Sequence, residues 1–354
     1  LVHHPVAAGK SYVLAGLVQR CAVPALVLTH RKDLMYQLSS VLREALDVPA
    51  LVGQIGDGWA APHWITVATF QSLAYKLREY PDDAKRLLER FQCVLVDEVH
   101  HLSGAETFAR VMQWTTNAYY RFGCSATPFA DGDIGNEMNV VGWTGPVVSH
   151  YTPTEGIGTG RLVPADVFCV HYDPLEGRQG LERPWPQDYQ LGVVDNGRRN
   201  QLIADIAQAA PKPVLVLIER IDHGRRLERM IQRTHTGFIY GETPDKDRER
   251  ALADFRDGRY ECLVSSVILD EGVDLPNIRT LILAGGGKAP HRIIQRLGRA
   301  MRAAPGKQQA IVFDLVDVGK HVGRHSRLRR KTFDAEPAYT VFDITADAVL
   351  KELT

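Results

Sequence analysis

The chain has 354 residues, of which 45% are hydrophobic, 24% charged and 8% aromatic, with 42 Lys and Arg balanced by 42 Asp and Glu. A formal charge of zero excludes a histone-like or tail-driven nucleic-acid binder, but not a motor with a basic groove, because net charge does not set local fields. The length suits two domains, each with its own core, and no apolar run reaches the roughly 18 residues that a membrane-spanning helix needs.

The chain begins at Leu1, inside an apolar run and without a methionine or a signal peptide. A preceding part of a longer protein is therefore expected. Residues 26–29, 65–69, 93–96 and 121–125 read as buried strands, with helix-like segments at 32–46 and 71–80 between them. Buried strands alternating with helices predict a parallel sheet covered on both faces, the α/β class. Residues 130–161 break the pattern with Gly, Thr, Asp and Pro, and a second polar stretch covers 173–197. The alternation then resumes. Helices are expected at 199–209, 225–233, 246–257 and 291–301, and strands at 214–218, 237–240, 261–265, 280–284 and 310–314. Domain boundaries are expected at 1–163 and 164–332, with 333–354 as a weakly patterned extension. Cys21, Cys93, Cys124, Cys169 and Cys262 are scattered without CxxC spacing. They read as buried thiols in a reducing compartment, cytoplasmic or nucleoid-associated, in a cellular or phage-encoded protein.

Four segments carry chemistry. HPVAAGKS, from His4 to Ser11, follows an apolar strand remnant and precedes a helix. Amides at such a helix start bind phosphate, Lys10 adds a positive charge, and the Ser11 hydroxyl can ligate Mg2+. The bland alternative is an ordinary Gly-initiated helix. VLVDEVHH, from Val94 to His101, ends a strand in two carboxylates, where open α/β sheets bind ligands. Asp97 can hold Mg2+ through water and Glu98 can polarise a hydrolytic water. An acidic helix cap is the competing reading. His100 and His101 are expected to link this site to the next motif rather than to bind zinc. GCSATPF, from Gly123 to Phe129, is either that link or a simple turn before Pro128. HRIIQRLGRAMR, from His291 to Arg302, places Arg292, Arg296 and Arg299 at helical spacing beside an apolar face of Ile293, Ile294 and Leu297. It is either a solvated basic helix or a source of arginine fingers.

The ordered set HPVAAGKS, VLTHRKDLMYQ, VATFQS, VLVDEVHH, GCSATPF, SSVILDEGVDLPN and QRLGRAMR, over residues 1 to about 318, resembles helicase superfamily 2. Its DEVH box, EGVDLPN and QRLGRAMR are similar to the DExH-type repair and recombination branch of XPB-, RadD- and UvsW-like motors. The resemblance implies two tandem RecA-like domains, ATP and Mg2+ in the cleft between them, and a single-stranded nucleic-acid track, DNA before RNA. It implies that Ala7, Ala8, Gly9, Lys10 and Ser11 form the phosphate loop, with Ser11 and Asp97 toward the metal. Glu98 is then the water-activating carboxylate, and Ser125 and Thr127 couple hydrolysis to movement. Gly272 and Asp274 face nucleotide and nucleic acid. Gln295, Arg299 and Arg302 serve the γ-phosphate side. Thr29, Arg31, Thr69, Gln71 and Ser266 lie by the nucleic-acid backbone.

The chain departs from the family's APTGSGKT-like loop at His4, Val6 and Ala7, and Ala7 tolerates positive φ less well than glycine. The upstream adenine-recognising segment is absent. The implied activity is that of an ATP-dependent DNA helicase or translocase. Alternatives are the motor subunit of a restriction or defence complex, with partner subunits, and a nucleic-acid-binding module with a degenerate ATP site. No membrane partner is expected. Arg324, Arg327, Arg329, Arg330 and Lys331 form a basic stretch within 321–331 that reads as a solvated tail or as a phosphate-contacting flank.

Overall fold

Short runs of aliphatic residues bounded by turn residues form strands, and parallel pairing needs a helical crossover between consecutive ones. The computed structural model describes residues 1–353 except 6–7, 103–105, 130–133, 174–183, 232–234, 267–274, 276–277 and 288–289, and the backbone alone at 102, 136, 290 and 291. The chain divides into two compact units, Leu1–Thr152 and Pro153–Thr354.

The first unit runs β1 (Val2–His3), α1 (Lys10–Cys21), β2 (Ala25–Thr29), α2 (Lys32–Leu46), β3 (Val52–Gly56), β4 (Trp59–Ala61), β5 (Ile65–Thr69) and α3 (Phe70–Glu79). It continues with α4 (Pro81–Leu88), β6 (Cys93–Asp97), α5 (Glu106–Gln113), β7 (Tyr120–Ser125), α6 (Ile134–Thr144) and β8 (Ser149–His150). The sheet order is β4-β3-β5-β2-β6-β7-β1-β8. Only the β3–β4 pair among these is antiparallel. Strand alternation divides the core between the two faces. Leu26, Leu28, Val94 and Val96 join Phe70 and Leu73. Ala25, Val27, Cys93 and Leu95 join Leu14, Met35 and Leu38.

The second unit runs α7 (Pro153–Gly158), β9 (Ala165–His171), α8 (Trp185–Tyr189), α9 (Gly197–Ala209), β10 (Val214–Leu217), α10 (Ile221–Met230), β11 (Thr236–Ile239) and α11 (Asp245–Arg256). It continues with β12 (Cys262–Ser265), β13 (Thr280–Leu283), α12 (Pro290–Ala300), β14 (Ala310–Val316), α13 (His321–Asp334), β15 (Tyr339–Thr345) and α14 (Ala346–Leu353). Its sheet, β11-β12-β10-β13-β14-β9-β15, has parallel pairs throughout the described residues.

Two boundaries differ from the sequence-based expectation. Residues 153–163 belong to the second unit, because the Val163 amide bonds to Met301 O at 2.8 Å and the Ala303 amide to Arg161 O at 3.2 Å. Residues 333–354 are not an appendage. β15 pairs with β9 along its whole length, and Val349 of α14 enters the core. Its mostly exposed YTVFDIT sequence has no continuous apolar run to mark β15 as a strand.

The second core contains buried charge. The Arg199 guanidinium donates to both oxygens of Asp317, at 2.6 and 3.3 Å, and to Ala284 O at 2.9 Å. Arg329 donates to Asp314 Oδ1 at 2.7 Å and to Leu315 O at 3.0 Å. Beside this network His223 is fully buried, with Nε2 2.9 Å from Asn200 Oδ1. The acceptor oxygen makes Nε2 the donor.

Burial, reinforced by the Arg199 and Arg226 charges, lowers the His223 pKa to about 3. The unfolded ring titrates near ~6.5. The unfolded chain therefore binds this proton more tightly. Stability present above pH ~6.5 should fall on acidification toward the folded pKa, by up to about 1.4 kcal/mol per pH unit. Denaturant melts of the wild type and His223→Gln over this acid range check the assignment. The substitution should flatten the pH slope, and an unchanged slope would assign the acid sensitivity to other groups.

Candidate functional site

Parallel strands deliver their carboxyl ends to one edge of the sheet. In the first unit, residues after β1, β2, β5, β6 and β7 meet there. Gly9 adopts φ 81°, a left-handed conformation suited to glycine, and starts α1. Gly9 brings no side-chain cap to α1, so the Lys10 and Ser11 amides are available to an anion, while the Tyr12 amide bonds Gly9 O at 2.9 Å. Ala8 is buried, and its amide lies 3.3 Å from Pro5 O. Ala7 and Val6 lie outside the described residues.

Lys10 Nζ lies 3.3 Å from Glu98 Oε1, with both side chains largely buried. Glu98 follows β6 with φ 50°, the left-handed region for a residue that carries a Cβ. Its other oxygen, Oε2, accepts from Ser125 Oγ at 3.4 Å and lies 3.5 Å from His100 Nδ1. His100 Nδ1 is 2.9 Å from Ser125 Oγ, and Thr127 N donates to the same Oγ at 3.1 Å. The DEVH and GCSATPF segments are thus joined through Ser125, His100 and Glu98. Asp97 is buried at the end of β6, in register with Cys124. Burial pushes the Cys124 thiol up to about 12, and the Asp97 charge adds to the shift. Ser11 is half-buried in the first turn of α1.

Thr29 and Thr69 end β2 and β5 as register partners. Thr29 is fully buried, and its Oγ1 has no hydrogen-bond partner among the described residues. Thr69 caps α3, with Oγ1 accepting from Ser72 N at 3.3 Å and donating to Ser72 Oγ at 2.8 Å. Arg31 pairs with Asp33 at 3.2 Å, and Gln71 Nε2 donates to His30 O at 2.9 Å. Sequence reasoning missed a cluster of tilted imidazoles: the His30 ring centre lies 3.9 Å from that of His101, and the His101 ring centre 4.2 Å from that of His100. Nothing in a linear pattern marks His30 as their neighbour. No cluster with metal-ligand character occurs among the described residues.

In the second unit, Gln295 and Arg296 are buried on α12, while Arg292 is exposed. Ile293 and Leu297 are buried and Ile294 is half-buried, forming the predicted apolar face. Arg299 and Arg302 are half-buried, and burial lowers the Arg302 pKa. Ser266 is buried after β12, and its amide donates to Ile239 O at 3.1 Å. Gly272 and Asp274 lie outside the described residues.

The expected basic flank is corrected. It is helix α13, and its cations divide between structural and exposed positions. Arg329 is buried on Asp314, and Arg330 binds Asp334 and Asp343 at 2.8 and 2.6 Å. Arg324, Arg327 and Lys331 are exposed. A free phosphate track cannot include Arg329, because its donors are already spent inside the fold.

Two family models match. "Type III restriction enzyme, res subunit" covers residues 1–130, and "Helicase conserved C-terminal domain" covers 198–304. The two models, one on each unit, support helicase superfamily 2, the family that the ordered motifs resemble. Among curated proteins it is similar to the "DNA 3'-5' translocase XPB2" of Sulfurisphaera tokodaii, 28% identical over 92% of this chain and 80% of that one. It is also similar to the "Putative DNA 3'-5' helicase Rad25" of Halobacterium salinarum, 28% identical over 92% of this chain but 53% of that one. Thus it spans most of the first relative and about half of the second. The S. cerevisiae Dbp5 structure bound to RNA and ADP BeF3 matches with a TM-score of 0.68 and 15% identity, covering 99% of this chain and 88% of that one. Likeness at that identity establishes the fold, tandem RecA-like units.

The strained Glu98 backbone can be measured separately from its contacts. Glu98→Ala and Glu98→Gly both lose the Lys10 and Ser125 partners, but only Ala retains a Cβ at φ 50°. The Gly variant should be the more stable by about 1 kcal/mol in denaturant unfolding. Equal stabilities would mean that the residue carries no left-handed strain.

Proposed function

We propose that this protein is an ATP-dependent DNA translocase or helicase of superfamily 2 whose hydrolytic centre is built on Lys10, Asp97 and Glu98. The observation that carries the reading is the meeting of Lys10, Glu98, His100 and Ser125 beside an uncapped helix start. It joins phosphate-binding chemistry to a base and to a third segment that can transmit a change. The names of the two curated relatives support DNA as the track and 3'-5' as the direction to test.

The donor set fits a nucleotide phosphate with a divalent ion. The α1 amides and Lys10 supply positive potential, and Ser11 Oγ and Asp97 supply hard oxygen ligands. Mg2+ held there would neutralise phosphate charge. Lys10 lies 3.3 Å from the Glu98 carboxylate. A phosphate that draws Lys10 toward itself leaves Glu98 to accept a proton from the attacking water. Ser125 and His100 hold the carboxylate in place and sense the change. Arg299 and Arg302 stabilise charge on the γ-phosphate, Gln295 supports them, and Gly272 and Asp274 serve the same reaction. Thr29, Arg31, Thr69, Gln71 and Ser266 hold the strand backbone.

A second reading, a motor subunit of a restriction or defence complex, is favoured by the restriction-subunit model over residues 1–130. A nuclease partner isolated with the chain would distinguish it. The retained Lys10–Glu98 pair argues against a degenerate ATP site.

ATP hydrolysis should be stimulated by single-stranded DNA. Lys10→Ala should abolish hydrolysis with the fold intact by circular dichroism. Glu98→Gln should still bind nucleotide and slow turnover by about 10²–10⁴-fold. Parallel loss of nucleotide binding in Glu98→Gln would make Glu98 a structural cap instead.

Arg299→Ala and Arg302→Ala should each lower turnover more than nucleotide affinity, because a finger acts on the transition state. Steady-state kinetics together with nucleotide titration separate the two effects. Near-normal turnover in both variants would leave α12 a packing helix.

A further inference from the structure

The second unit carries a cavity of about 490 Å³ that the hydrolytic reading does not use. Its walls include Trp185 of α8, Glu219 after β10, Arg292 and Arg296 of α12, and Arg324 and His325 of α13. Three guanidinium groups face one carboxylate, so the charge balance favours an anion. Arg296 is 6% exposed and His325 8%, so these walls belong to the folded core.

Trp185 is positioned firmly. Asp188, one turn along α8, accepts hydrogen bonds from the His321 and Val322 amides at 2.8 and 3.2 Å, capping α13. The neighbouring Tyr189 hydroxyl donates to Gly285 O at 2.7 Å. The Trp185 ring then lies 4.5 Å from the His325 ring at 48°. With 38% of its surface exposed, Trp185 presents a fixed aromatic wall. A wall held in place before binding lowers the ordering cost of a ligand.

The lining combines two chemistries. Arginine forks match phosphate oxygens, and an indole face stacks on a flat heteroaromatic ring. Glu219 adds an acceptor for a ring N–H or a sugar hydroxyl. The volume lies in the range of small-ligand pockets, roughly 300–1,000 Å³. We propose that this cavity binds a nucleotide, with its base against Trp185 and its phosphate against Arg292, Arg296 and Arg324. The site is distinct from the Lys10 loop, which lies in the other unit. The nucleotide is either one residue of a bound strand or a free mononucleotide. Only the strand source rests on the DNA-motor reading.

The test uses the whole chain with ADP and Mg2+ in excess to fill the Lys10 loop. Equilibrium dialysis reports dTMP binding, and fluorescence anisotropy over a salt series reports binding of a single-stranded oligothymidylate. Trp185→Ala should weaken the bound form about tenfold or more, and Trp185→Phe should restore most of it. Arg324→Ala, at an exposed position, should weaken binding and reduce the salt slope for the oligonucleotide by about 0.7. Melting temperatures verify that each variant folds.

Oligonucleotide losses without dTMP binding support the strand source. Binding of dTMP to the wild type that Trp185→Ala removes supports the free nucleotide. Unchanged oligonucleotide affinity and slope in both variants, with no dTMP binding at millimolar concentration, overturn the proposal. DNA stimulation of ATP hydrolysis is read on parallel samples of the same preparation without ADP. If no strand binds and hydrolysis is not stimulated, the DNA-motor reading has failed, and the dTMP arm alone decides the cavity.

Discussion

Parallel strand pairing is the constraint on which the rest of the first unit depends. It puts the carboxyl ends of every strand but β4 on one edge, so segments far apart in sequence share one space. Thr29 and Thr69 become register partners, and Asp97 becomes the partner of Cys124. Lys10, after β1, reaches Glu98, after β6, because only β7 lies between these strands in the sheet. An antiparallel arrangement of the same strands would send alternate motifs to opposite edges. The Lys10–Glu98 pair is therefore a consequence of topology, and the buried aliphatic strands that hold the topology indirectly hold the site.

The parts of this architecture that were legible are those with a strong local signal. Apolar runs such as ALVLT and CVLVD are buried throughout, as strands covered on both faces should be. The helix over 32–46 was readable from its periodicity, and its ends agree. The site's segments were readable as an ordered set, through its resemblance to helicase superfamily 2; each segment alone admitted a bland reading. The parts not legible depend on partners distant in sequence. β15 is an edge strand whose one neighbour among the described residues is β9, and its mostly exposed YTVFDIT sequence has no continuous apolar run to mark it. The His30–His101 contact joins two strand ends and leaves no periodic trace.

Charge was the least legible property. The sequence presents α13 as one basic stretch, yet a guanidinium acts according to what lies within hydrogen-bond reach. Arg329 meets Asp314, 15 residues earlier, and Arg199 meets Asp317, 118 residues later. Buried pairs of this kind lose hydration on folding and are worth little in net stability, but removing one partner leaves a buried charge at a cost of about 3–5 kcal/mol. They act as a register lock, tying α9 and α13 to the end of β14. Exposed Arg324, on the same helix, answers to solvent and to the cavity beside Trp185. A run of like charges in sequence can thus separate into a structural part and a ligand-facing part once the helix has a buried side.

The backbone at Glu98 links geometry to chemistry. A left-handed conformation with a Cβ costs about 1–2 kcal/mol and persists only where surrounding contacts hold it. Here the contacts are the site itself: Lys10 on one carboxylate oxygen, and Ser125 and His100 on the other. The extended alternative would turn the carboxylate away from β7 and separate it from Ser125. The left-handed backbone at this residue therefore keeps the carboxylate beside Ser125 and His100. Gly9 reaches the same region of backbone space without a Cβ penalty and leaves the start of α1 without a side-chain cap. The two left-handed residues thus shape opposite sides of one contact: Gly9 starts the helix that carries Lys10, and Glu98 turns its carboxylate toward that lysine.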